Sequence, residues 1–345
     1  MKKFFALILL AALITPLFSS QPIEVSFRNL KLVVHPDSGS FSLHQLSDVG
    51  KGRYRALIED RNASATSWFS VQLDNKVFKL ARKSGRSIEA ERTDAGARVV
   101  FTPTDDFQAI QIFTFIPAPG RVDSAFLKIE TIIENTSGKT QTIALKALFD
   151  TLLGEASGIH FSTPVKKRIS AETRINPALS RDAYISSRSE DASLEIFLDD
   201  SSASRPEEVY LANWDRLNTL TWKPDYLEGR SFNSIYSIND SAILFVWPAS
   251  EIRANKTYEN VMILGTDASV IIDAGSTSLA APNSTTPVGS GLSEPIPLTE
   301  NERLRQIREI LTRIDELQRN PASTTDAELQ ALNQSLDVLL LNAPR

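Results

Sequence analysis

Between Ile23 and Asp273 the chain is written almost entirely in short alternating or β-branched apolar runs separated by turn residues, with hardly any helical periodicity. Alternation puts every second side chain on one face, so the segment is committed to antiparallel strands that bury that face. The clearest pair runs from Ala125 to Asn135 and from Lys139 to Phe149, with Asn135-Thr136-Ser137-Gly138 between them, and predicts a β-hairpin. Similar runs lie at Val25 to Val34, Trp68 to Leu73 and Val77 to Leu80, Arg98 to Thr102, Ala109 to Ile116, Leu194 to Leu198, Val209 to Leu211, Ala242 to Trp247, Tyr258 to Leu264 and Val270 to Ile272. So many strands predict a large antiparallel two-sheet sandwich over residues 21–273.

The composition changes at Ala274. Residues 274–298 are mostly Ser, Thr, Pro, Gly and Ala with a single charge, Glu294, which reads as a flexible linker of roughly 25–30 Å root-mean-square span. Residues 299–345 then carry two capping boxes, Thr299 with Glu302 and Thr325 with Glu328. Leu304, Ile307, Leu311 and Ile314 recur at helical spacing, as do Leu329, Leu332, Leu336 and Leu339. A C-terminal α-helical hairpin is predicted, packing on the sandwich or on a second copy, or serving as a tethered docking element. Self-association through residues 299–345 is one expectation.

At the other end, Lys2 and Lys3 precede an apolar run from Phe4 to Phe18 that is short for a bilayer span of about 20 residues. Residues 1–20 read as a bacterial export signal, giving a periplasmic or secreted protein with no membrane span after its removal. The chain has no cysteine, so neither disulfides nor thiolate chemistry can contribute. Loss of Lys2 and Lys3 moves the formal net charge from −5 to −7, and no basic block offsets it, which argues against nucleic acid as a partner.

No zinc spacing, nucleophile elbow, P-loop or dinucleotide fingerprint occurs. None of the histidines, His35, His44 and His160, lies in a zinc spacing, and nothing calls for a metal or a cofactor. Asp150, Glu155 and His160 form the best catalytic candidate, because two carboxylates and an imidazole follow a predicted strand and could share acid and base roles on a sugar. The structural alternative makes Asp150 a turn cap, Glu155 a solvated side chain and His160 a core histidine. The second candidate is aromatic: Trp214, Trp222 and Trp247 fall between Tyr210 and Trp247, interleaved with Arg216, Asn218, Arg230 and Asn233. Trp214, Arg216, Asn218, Trp222, Arg230 and Asn233 would suit a glycan surface, with the indoles stacking on sugar rings.

The order of these elements, with Lys139 to His160 leading into a polar loop and an Asn-Trp-Asp-Arg-Leu-Asn run inside 209–241, resembles exported bacterial β-sandwich proteins of unassigned function. Its size is similar to the large sandwich of galactose mutarotases. That resemblance implies a glutamate base and histidine acids on a concave sheet, and here only His160 lies near carboxylates. The expected role is a non-catalytic envelope protein whose sandwich contacts a protein or glycan and whose hairpin mediates association; the alternative is a carbohydrate-active enzyme or sugar epimerase using Asp150, Glu155 and His160.

Overall fold

Strands dominate the computed structural model, which describes residues 21–59, 66–81, 87–118, 121–198, 202–235 and 237–266. In chain order they are β1 (Ile23–Phe27), β2 (Leu30–His35), β3 (Ser40–Asp48), β4 (Arg53–Ala56), β5 (Trp68–Leu73) and β6 (Lys76–Lys79). Next come β7 (Ser87–Thr93), β8 (Gly96–Thr102), β9 (Phe107–Pro117), β10 (Ala125–Asn135), β11 (Gln141–Thr151) and β12 (Thr173–Ile175). The last are β13 (Tyr184–Arg188), β14 (Ser193–Phe197), β15 (Glu208–Asn213), β16 (Ser241–Val246), β17 (Ser250–Ile252) and β18 (Thr257–Gly265).

They form three antiparallel sheets. The first is β1-β2-β3-β4, the second β13-β14-β18-β10-β9-β8-β7, and the third β12-β15-β16-β11-β5-β6, with β17 paired to the start of β11. One continuous apolar core takes residues from all three. Phe41 of β3 shows how they meet: its ring centroid lies 4.9 Å from Phe113 of the second sheet and 6.4 and 6.1 Å from Phe69 and Phe149 of the third. Gly39 permits the approach of this strand, since it holds a positive φ of 68° and a Cβ there would meet the Phe101 ring at 2.4 Å.

Three sequence expectations are corrected. The predicted hairpin of 125–135 with 139–149 does not form, although both strands exist: β10 pairs with β9 and β18, whereas β11 pairs with β5, β16 and β17. Asn135 explains the departure. Its buried amide Nδ2 donates to the carbonyls of Lys139 and Ile252, both at 2.9 Å, and its Oδ1 accepts from Ser137 N at 3.0 Å. The backbone N–H groups of Asn135 and Thr136 are met from outside the bend, by Lys256 O at 2.9 Å and Asp106 O at 3.0 Å, and the chain crosses to another sheet without pairing back. The second correction concerns Val25 to Val34, which is two strands joined at Arg28-Asn29. Arg28 takes a φ of 54° while its Nη1 donates to the carbonyls of Arg121 and Ser124, each at 2.7 Å.

The third correction is to the fold class itself. Over the described residues the architecture is mainly β and three-sheeted rather than a two-sheet sandwich. Among the described residues α-helix is confined to one turn, α1 (Trp214–Leu217), and no helix is long and apolar enough to cross a membrane. No C-terminal helical hairpin belongs to this described structure. The segments read as export signal, linker and hairpin, with the seam residues Leu304, Ile307, Leu311, Ile314, Leu329, Leu332, Leu336 and Leu339, lie outside the described residues, as does the run at 270–272.

Candidate functional site

β11 alternates between two environments. Ile143, Leu145, Ala147 and Phe149 enter the main core, while Lys146, Leu148 and Asp150 point to the opposite face of the third sheet. On that face a second apolar cluster gathers Trp68, Leu148, Tyr210, Ala212, Leu217, Ala242, Leu244 and Val246, with Trp214, Trp222 and Tyr226 packed half-buried against it. The covering chain is the stretch from α1 to Asp240, which is almost without regular structure.

Lys146 holds this cover to the sheet. Its side chain is fully buried, and its Nζ donates to the carbonyls of Thr219 and Thr221, both at 2.9 Å. The ammonium also sits 5.5 Å from the ring centroids of both Trp68 and Trp222, within cation–π range. None of the ion pairs formed among the described residues involves Lys146, and burial lowers its pKa to about 8. Trp68, buried at 3% exposure, donates its indole N–H to Asn218 Oδ1 at 3.2 Å, and Lys79 Nζ lies 4.4 Å from its ring.

A second anchor is Glu172, also fully buried. Its carboxylate accepts from Arg216 Nη1, from Arg230 Nε at 3.1 Å and from the backbone N–H of Leu227 at 3.0 Å. Arg216 goes on to donate to the carbonyls of Ser231, at 2.9 Å, and Asn233. Two guanidinium groups on one carboxylate satisfy a charge that could not otherwise be buried.

The six residues proposed from the sequence for a glycan surface therefore separate into two groups. Arg216 and Arg230 are spent on Glu172, and Asn233 accepts from Arg216 through its carbonyl and from Asn239 N through its side chain at 2.8 Å. These three build the cover. Trp214 begins α1 behind the Asn213 cap, with its indole N–H donating to Thr66 O at 2.9 Å. Trp222 is half-buried, with the exposed residues Asn218, Thr221 and Lys223 beside it in the chain. Sequence reasoning missed Lys146, Trp68 and Glu172. The available signal was a lysine inside Ile143-Ala144-Leu145-Lys146-Ala147-Leu148-Phe149, where alternation gives Lys146 the same buried strand as its neighbours; Glu172 had none.

At the far end of β11 Asp150 and Glu155 interact with each other, whereas His160 is shifted by burial alone, with no contribution from either carboxylate. Asp150 is 6% exposed, and its pKa is raised to about 8 by burial, then by the nearby carboxylates of Asp240, Glu59 and Glu155, against a hydrogen bond with Thr66. Glu155 accepts from Ser241 N at 3.2 Å. His160 instead stacks on Phe232, with ring centroids 4.1 Å apart, and burial lowers its pKa. It is a core histidine. Gly154 lets the chain fold back tightly here, since a Cβ would lie 2.3 Å from His160 O. Among the described residues no group of three His, Asp or Glu side chains is arranged to hold a metal ion.

No protein-family model matches the sequence, and no curated protein does. Among solved structures, the chain is similar to a galactose mutarotase related enzyme from Lactobacillus acidophilus, at 8% identity and a TM-score of 0.42 over 72% of this chain and 98% of that one. A galactose mutarotase-like protein from Lactobacillus casei gives 8% identity and a TM-score of 0.45 over 72% and 100%. One from Clostridium acetobutylicum gives 11% and 0.36 over 72% and 98%. This is a weak, low-identity resemblance to the galactose-mutarotase-like sandwich, and it says nothing about activity. The expected function is corrected on the described residues: they contain no helical hairpin to mediate association, and His160 shows no electrostatic coupling to Asp150 or Glu155 that would make an acid–base site.

Proposed function

We propose that the chain is an exported protein whose β-domain binds a carbohydrate on the covered face of the third sheet, with Trp222 as the stacking platform. The observation that carries this reading is the fixing of Trp222. Its half-buried indole is backed by the Lys146 ammonium at 5.5 Å, and the same ammonium holds the carbonyls of Thr219 and Thr221 in the segment leading to it. A platform ordered before the ligand arrives loses little conformational entropy on binding. Asn218, Thr221 and Lys223, exposed along the same segment, supply the hydrogen-bonding groups that a sugar's hydroxyls need. Export is supported by the Lys2-Lys3 segment with its short apolar run.

A glycan array probed with the secreted chain tests the binding. Retention on a restricted set of glycans, abolished by Trp222→Ala, is expected; retention on none contradicts the reading. Cell fractionation tests the export, with a shortened chain beginning near Ser20 or Gln21 outside the cytoplasm as the expected result.

A further inference from the structure

Gln111, Thr131 and Asn260 are direct cross-strand partners on β9, β10 and β18 and form one row across the second sheet. All three turn inward. Their neighbours two residues along, Ala109, Phe113, Ile129, Ile133 and Met262, belong to the main core. Exposure is 2% for Gln111, 0% for Thr131 and 1% for Asn260. Yet Gln111 Nε2, Thr131 Oγ1 and both side-chain polar atoms of Asn260 find no hydrogen-bond partner in the protein. The Tyr258 hydroxyl, on the same face of β18, approaches Asn260 without reaching full hydrogen-bond geometry.

A buried donor or acceptor left without a partner costs its full desolvation, and several at adjacent positions would consume much of the margin by which a domain is stable, so the row needs a partner. We propose that it is an internal water-binding site between the sheets, where one or two molecules bridge Gln111 Nε2, Thr131 Oγ1 and the Asn260 amide. The chemistry favours a neutral ligand, because amides and a hydroxyl present donors and acceptors without charge. The nearby acids Glu130 and Glu259 alternate to the other face of the sheet. Water can both donate to Thr131 Oγ1 and Asn260 Oδ1 and accept from the two amide nitrogens, and a buried water typically makes about three such bonds.

The test is a crystal structure of the full chain at a resolution that orders internal solvent, together with thermal melting of Thr131→Val. Ordered water bonded to at least two of the three side chains supports the site, and its absence overturns it. Loss of that bridge should lower the melting temperature of Thr131→Val by about 2–6 °C. An unchanged or higher melting temperature, the behaviour of a dry orphan replaced by a methyl group, overturns it as well. If the variant fails to fold, the wild-type solvent structure decides alone.

Discussion

Lys146 and Asp150 stand four residues apart on β11 and point to the same face of the sheet, so one strand buries an ammonium and a carboxyl beneath a single cover. Burial moves both pKa values to about 8, from above for the lysine and from below for the aspartate. Their linkage slopes are opposite. Between roughly pH 4 and 8 the folded chain keeps a proton on Asp150 that the unfolded chain has lost, so stability falls as pH rises. Between about 8 and 10.5 the unfolded chain keeps a proton that folded Lys146 has lost, so stability rises. The pair should place a stability minimum near pH 8, visible in urea denaturation across a pH series; a maximum there would contradict the burial of both groups.

Asp150→Asn removes the acidic limb. Asparagine matches the shape and keeps a neutral partner for Thr66, so the variant should gain a few kcal/mol at pH 8 and little at pH 4, as the large upward pKa shift requires. Parallel melting curves for the two proteins at both pH values would contradict this.

Lys146→Met removes the other limb. It also leaves the carbonyls of Thr219 and Thr221 without their donor, at a cost of about 1–3 kcal/mol set against the relief of a buried charge. Trp222 should become more solvent-exposed, shown by red-shifted emission and greater quenching by acrylamide, with the core strands unchanged by far-ultraviolet circular dichroism. Unaltered Trp222 quenching would contradict the stapling role.

Glu172→Gln strips the negative charge from between Arg216 and Arg230. Breaking a buried ion pair of this kind typically costs about 3–5 kcal/mol. Residues 225–233 should become the first site of limited proteolysis, because Leu227, Arg230 and, through Arg216, Asn233 are all tied to that carboxylate. Wild-type cleavage rates in this stretch would show that the cover is held elsewhere.

Strand identity was legible because alternation survives in strands such as β9 and β10 and because Ala242 to Val246 of β16 is an unbroken apolar run. Sheet membership was not. The Asn135-Thr136-Ser137-Gly138 bend has hairpin composition, and long-range bonds, among them those of Asn135 to Ile252 and Lys256 and of Thr136 to Asp105 and Asp106, hold it as a crossover. β1 and β2 merged into one run because Arg28 occupies a positive-φ turn position that usually signals itself by Gly or Asn. In the candidate site the aromatics were visible by composition, whereas the role of each arginine depended on Glu172, whose position opposite Arg216 and Arg230 is set by tertiary contacts alone. The stacking of His160 on Phe232 was not legible either, because the two residues lie far apart in sequence.

The most direct measurement is the structure of the chain with a saccharide selected on the array, paired with the binding isotherm of Trp222→Ala. A sugar ring stacked on the Trp222 indole, hydrogen-bonded near Asn218 or Lys223, is the expected result. Truncation of that indole should then weaken binding by about 1–3 kcal/mol, in the range of hot-spot aromatics. A saccharide bound away from Trp222, or an isotherm unchanged by its removal, would contradict the assignment of this face as the carbohydrate site.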